Sequence, residues 1–135
     1  MGPVRQRGNV FDSNILIYHI NGQLDTVLEQ ALSYWFELPS YISTITVMEV
    51  LSWPGHSDET AKLTAVFLNF FDEIAIDPDI KFAAIALRRT YRLKLPDAII
   101  AATALHLEVP LITRNVKDFK NISDLKLINP FEETS

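Results

Sequence analysis

The 135-residue chain has no cysteine, which excludes a disulfide scaffold, a thiolate metal site and a cysteine nucleophile in one observation. Glycine is scarce too: the four present, Gly2, Gly8, Gly22 and Gly55, supply neither a G-x-G-x-x-G turn nor a Walker A loop. H-E-x-x-H and G-x-S-x-G are absent. The longest apolar stretches, such as Ala83 to Leu87 and Ala98 to Ala102, fall well short of the roughly 18 residues that a membrane span needs. No apolar run stands behind Arg5 and Arg7, so a secretory signal is not expected, and a soluble, cytoplasmic protein is. His19, His56 and His106 occur singly, without metal-ligand spacing, and are expected to be structural or solvated.

What is present suffices for a core, since 48% of the residues are hydrophobic and 21% charged. The length points to a single domain over 1–135, with residues 1–8 expected to be vector-derived or disordered. The net charge of −5 conceals a split: residues 1–79 carry 3 bases and 11 acids, whereas residues 80–126 carry 9 bases and 4 acids. That basic stretch, from Lys81 to Lys126, suits either phosphate contacts or an ordinary solvated helix face, and charge alone leaves both open.

Along the chain, Val10-Phe11 reads as the end of a buried strand that hands over at Asp12 to a helix spanning Ile15 to Ile20. Asn21-Gly22 breaks it, and Leu24, Val27, Leu28, Ala31, Leu32 and Trp35 recur at helical spacing. Tyr41-Ile42 is β-prone, and Thr46-x-x-Glu49 has the form of a capping box that starts a helix. Ser57 is a good N-cap for a helix over Ala61 to Phe71, whose apolar residues occupy more than one face and suggest a partner. Ile74-Ala75-Ile76 predicts a strand, and Asp77-Pro78 an N-cap with proline at the first helical position before Asp79 to Arg92. Pro96 opens a helix over Asp97 to Glu108. Pro110-Leu111-Ile112 is a strand, Thr113 to Asn121 a loop or short helix, and Leu127-Ile128 a last strand. This alternation predicts an α/β three-layer domain around a parallel sheet. Trp35, Phe67, Phe70 and Phe71 are expected in the core, and Trp53 on the surface.

In open parallel sheets ligands bind outside the carboxyl ends of the strands, which is where Asp12 and the Thr113 to Asp118 loop fall. Glu49 and Asp97 lie in first turns of predicted helices. Singly, each acid has a plain explanation: Asp12 an N-cap, Glu49 a capping-box partner, Asp97 a mate of the helix dipole, Asp118 a loop acid. Together, four acids at corresponding ends of an α/β sheet suit hard divalent cations, because Mg2+ and Mn2+ prefer carboxylate and water oxygens. Asp97 also shares a helix face with the small residues Ala101 and Ala104, which let neighbouring backbone approach.

Four ordered segments, Val10-Phe11-Asp12-Ser13-Asn14, Thr46-x-x-Glu49, Leu95-Pro96-Asp97 through Ala104, and Leu111-Ile112-Thr113-Arg114-Asn115-x-x-Asp118-Phe119, closely resemble PIN-domain ribonucleases. In particular they resemble the toxins of VapBC-type toxin–antitoxin pairs, over residues 9–130. The resemblance implies a PIN-like three-layer α/β/α domain with a central, mostly parallel sheet. It implies a Mg2+- or Mn2+-dependent endoribonuclease whose catalytic, metal-holding quartet is Asp12, Glu49, Asp97 and Asp118, supported by Asn14, Thr113 and Asn115. An RNA substrate, a cognate antitoxin and a homodimer are implied as well. Arg114, Lys117 and Lys120, beside the site in sequence, are expected to hold flanking RNA phosphates. The polar N-terminus and the acidic overall charge depart from the pattern without touching the quartet. Two alternatives stay open: a Mg2+-dependent phosphatase of another α/β fold, which Asn14 disfavours by replacing the second acid of an aspartate-x-aspartate element, and a non-catalytic PIN-like binding module.

Overall fold

The computed structural model describes residues 7–131. Of the expected leader, residues 1–6 lie outside the described residues, whereas Gly8 is buried with a φ of 82°, and a Cβ there would collide with the Pro39 carbonyl. Strands β1 (Asn9–Phe11), β2 (Ser40–Ser43), β3 (Asp72–Ile74), β4 (Leu111–Ile112) and β5 (Leu127–Ile128) form one sheet ordered β3-β2-β1-β4-β5. Every neighbouring pair is parallel, so the expectation of a mostly parallel sheet becomes an all-parallel one among the described residues. The helices are α1 (Ser13–Ile20), α2 (Thr26–Phe36), α3 (Thr44–Leu51), α4 (Asp58–Leu68), α5 (Pro78–Tyr91), α6 (Leu95–Leu107) and α7 (Val116–Phe119).

The chain lays β1, β2 and β3 outward in one direction and then returns to set β4 and β5 on the other flank of β1. The winding therefore reverses between β1 and β4, and in open parallel sheets the carboxyl edge at such a reversal is where ligands bind. Successive strand residues point to opposite faces, which divides the core in two. Val10 and Leu111 join Ile80, Ala84, Phe119 and the buried run Ala98 to Ala102 on one side; Phe11 and Ile112 join Ile15, Leu16, Leu32, Val50 and Phe71 on the other. Alanine makes α6 the central helix, because its small side chains let it touch α5, α3, β1 and β2 together.

Helix starts follow local chemistry. Asp77 accepts from the Ile80 N–H at 2.8 Å with Pro78 behind it, and Ser57 forms a capping box with Thr60. With glycine scarce, the left-handed caps that end α5 and α6 fall to Arg92 and Glu108, each at φ 56°, a conformation costing roughly 1 kcal/mol in a residue with a Cβ.

Five expectations need correction. Thr46 and Glu49 form no capping box, because α3 starts at the end of β2 with Ser43 as its cap, accepting from the Ile45 N–H at 3.2 Å. Glu49 thus stands in the second turn rather than the first. The third strand is Asp72–Ile74 rather than Ile74 to Ile76, since pairing of Tyr41 with Asp72 sets its register. The fourth helix ends at Leu68, so that Phe71 turns into the core while Phe70 is 58% exposed. Trp53 is half-buried, packed edge-on against His56.

Candidate active site

Asp12 and Thr113 emerge side by side at the reversal point. The Asp12 N–H donates to the Ile112 carbonyl at 2.9 Å and the Thr113 N–H to that of Ile128 at 3.0 Å, so each continues its ladder by one residue. The Thr113 hydroxyl then donates to Asp12 Oδ2 at 2.7 Å, both side chains being buried. Asp12 occupies the N-cap position of α1 in extended conformation, yet its side chain caps nothing. Burial pushes its carboxyl from 3.8 up to about 6; the Thr113 hydroxyl and the Ser13 N–H oppose the rise, and the carboxylates of Asp97 and Glu49 add to it.

Glu49 reaches in from α3, partly buried, and its Oε1 accepts from the Ser13 hydroxyl at 2.7 Å. Asp97 stands in the first turn of α6, half-buried, where an acid suits the helix dipole. Its carboxyl is also raised, first by burial and then by Glu49 and Asp118, against the pull of the Lys94 ammonium. Asp118, exposed on α7, accepts from Asn115 Nδ2 at 3.0 Å. The Asn115 N–H donates in turn to the Thr113 hydroxyl oxygen at 2.9 Å. Four acids at four separate helices thus belong to one electrostatic group: the charges of Asp97 and Glu49 act on Asp12, and those of Glu49 and Asp118 act on Asp97.

The supporting residues divide. Thr113 and Asn115 bond within the group, whereas Asn14 is exposed and its side chain makes no hydrogen bond among the described residues. Ser13, its neighbour, makes the contact instead, and Lys94, one of the cations of the basic stretch, acts on Asp97 from beside the group. A hydroxyl directly after Asp12 was the one available signal for Ser13; its partner lies 36 positions away. Arg114 rests its guanidinium 4.3 Å from the Phe131 ring centroid and 5.6 Å from that of Tyr18, while Lys117 and Lys120 are exposed. The histidines bond outside the quartet: His19 pairs with Glu29 at 2.6 Å, His56 bonds the Val50 carbonyl at 2.9 Å, and His106 approaches Asp77 at 3.9 Å.

Among the described residues no three acidic or histidine side chains close on a common point as a ready-made metal cage. The donor set nonetheless fits a hard cation, being all oxygen and crowded with like charge that burial makes costly to keep ionised. Mg2+ keeps several waters and takes only one or two carboxylates directly, so a loose cluster of this kind suits it better than a closed cage would.

A family model described as the PIN domain matches residues 10–125. No curated protein matches the sequence. Among solved structures, a toxin–antitoxin complex from Klebsiella pneumoniae is similar at 40% identity and a TM-score of 0.77, over 91% of this chain and 98% of that one. VapBC2 from Rickettsia felis, bound to a DNA fragment from its promoter, is similar at 25% identity and a TM-score of 0.77, over 90% and 97%. DNA-bound VapBC from Salmonella typhimurium, at 17% identity and a TM-score of 0.78 over 91% and 98%, shares the fold. No described helix is long and apolar enough to cross a membrane.

Proposed function

Because this chain belongs to the PIN domain family, we propose that it is the toxin of a VapBC-type toxin–antitoxin pair, an endoribonuclease that hydrolyses RNA phosphodiester bonds with Mg2+ or Mn2+. The observation that carries this reading is the coupling of Asp12, Glu49, Asp97 and Asp118 at the topological reversal of the sheet. The 40% identity to a chain of a toxin–antitoxin complex supports the biological role. A bound divalent ion would supply Lewis-acid activation of water and charge neutralisation at the scissile phosphate.

The chain's own residues do the rest. Asp12, held by the Thr113 hydroxyl, and Glu49, held by Ser13, present fixed oxygens, and Asp97 and Asp118 add two more carboxylates coupled to them by charge. Four acids alone repel phosphate, so substrate approach depends on the cation that inverts the local sign. Lys94, Lys117, Lys120 and Arg114 surround the acids in the sequence and are exposed, placed to hold flanking RNA phosphates. Exposed large apolar side chains support protein partners: Val27 and Tyr34 on α2, Leu63 and Val66 on α4, and Met48, Phe82, Ile85 and Leu95 on α3, α5 and α6. They serve a cognate antitoxin and a second copy of the chain. A cytoplasmic location accords with an RNA substrate.

The test is RNA cleavage by the purified protein with Mg2+ or Mn2+, with chelator, and with Asp12→Asn as a control, beside a small phosphate ester. Cleavage of RNA with metal alone is expected. Hydrolysis of the ester without RNA cleavage would indicate a phosphatase, and inactivity towards both under every metal would leave a binding module.

A further inference from the structure

We propose that Ser13 is a positioning residue for Glu49, its buried hydroxyl holding that carboxylate in the orientation that receives the divalent ion. The proposal rests on the metal-dependent reading above and extends it to a residue outside the quartet. Glutamate has three side-chain torsions and loses much rotamer freedom when held, so a long acid on the second turn of α3 needs a partner to keep one geometry. Ser13 is the one hydrogen-bond partner of the Glu49 side chain among the described residues. It engages Oε1 at 2.7 Å, the length of a charge-assisted O–H···O bond, and leaves Oε2 without a protein partner.

The bond is not needed to hold α1 against α3. Ile15, Leu16 and Val50 are fully buried in one cluster and already do so. Nor does the hydroxyl cap its own helix, since Ser13 is the first helical residue and Asp12 occupies the N-cap position. The same arrangement recurs nearby: Asp12 has a dedicated donor in Thr113 and Asp118 one in Asn115, so Ser13 gives a third acid of the group its own donor. Outer partners of metal-ligating side chains are typically worth about 10- to 100-fold in metal affinity.

The test is Mn2+ binding by isothermal titration calorimetry on the full chain, comparing the unaltered protein with Ser13→Ala, Glu49→Ala and the double variant. Ser13→Ala is expected to weaken binding about 10-fold with little change in the melting temperature of the metal-free protein. In the Glu49→Ala background the same substitution should have no further effect. If Ser13→Ala does not fold, Ser13→Thr against Ser13→Val replaces it, because the two are near-isosteric and differ by the hydroxyl; the threonine form should bind more tightly. Equal Mn2+ affinity with and without the hydroxyl overturns the role of Ser13, as does a loss that persists without Glu49. An unaltered protein that binds no Mn2+ overturns the metal reading itself and this proposal with it.

Discussion

Thr113 and Asp12, separated by 101 positions in the chain, are joined by a buried 2.7 Å hydrogen bond at the reversal of the sheet. The parallel pairing of Phe11 with Ile112 produces it, because each residue is the next one along its own strand. The bond gives a buried carboxylate its one side-chain donor, beside the Ser13 N–H, and that donor accepts in turn from the Asn115 N–H.

Removing that donor while keeping its volume, as Thr113→Val, should leave Asp12 buried and short of a partner. A loss of about 1–3 kcal/mol is expected at pH 7.5, and the Asp12 carboxyl should titrate still higher than about 6. The loss should shrink at pH 5, where Asp12 is largely protonated. Urea denaturation at the two pH values checks this, and Thr113→Ser should behave like the unaltered protein. A loss of equal size at both values would detach the effect from Asp12.

The metal-free protein should gain stability from Asp12 on mild acidification. Its carboxyl is raised from 3.8 in the unfolded chain to about 6 in the fold, so the fold binds the proton more tightly. That contribution is fully present below the unfolded value and is lost as pH rises through about 6. It amounts to roughly 3 kcal/mol over the window, and Asp97, raised for the same reason, acts in the same direction. In chelator, Asp12→Asn should therefore flatten the dependence of stability between pH 4 and 7. A stability that instead falls steadily from pH 7 to pH 5 in the unaltered protein would contradict this.

Asp97→Asn is expected to abolish RNA cleavage and leave the fold intact. Loss of an acid from the first turn of α6 costs about 0.3–1 kcal/mol of dipole interaction. Relief from burial and from repulsion by Glu49 and Asp118 outweighs it, so the metal-free melting temperature should rise at pH 7.5. Near-normal turnover with Mg2+ would remove Asp97 from the catalytic group.

Lys117 and Lys120 stand exposed on and just after α7, next to Asp118. Changing both to alanine should raise KM for RNA with little effect on kcat, and flatten the salt dependence of binding by about 0.7 per lost contact with single-stranded RNA. Fluorescence anisotropy across a range of salt concentrations measures the slope. An unchanged slope would return both lysines to the solvated surface.

The chain should form a homodimer, since Met48, Phe82, Ile85 and Leu95 are large apolar side chains between 45% and 63% exposed on neighbouring helices. Light scattering at micromolar concentration should give the mass of two chains. Phe82→Glu should then shift it towards one; a monomer mass for the unaltered protein would dismiss the expectation.

Local chemistry made much of this protein legible before folding was considered. Asp77-Pro78 and Ser57 with Thr60 begin helices because a side chain satisfies amides two or three residues away, a condition that neighbours in sequence decide. The alternation of apolar strands and helices likewise implied a layered parallel sheet, and the four acids stood out by their place at strand and helix ends. Thr46 and Glu49 show the limit. Their spacing fits both a capping box and a helix interior, and only the seating of Ser43 at the end of β2 selects the interior. Strand β3 took its register from Tyr41 rather than from its own apolar residues, as an edge strand must. The hold of Ser13 on Glu49, the raised carboxyl of Asp12 and the coupling of Asp97 to other acids depend on burial and on proximity in space. Electrostatic energy in a desolvated site follows distance in space, which the order of residues along the chain does not encode.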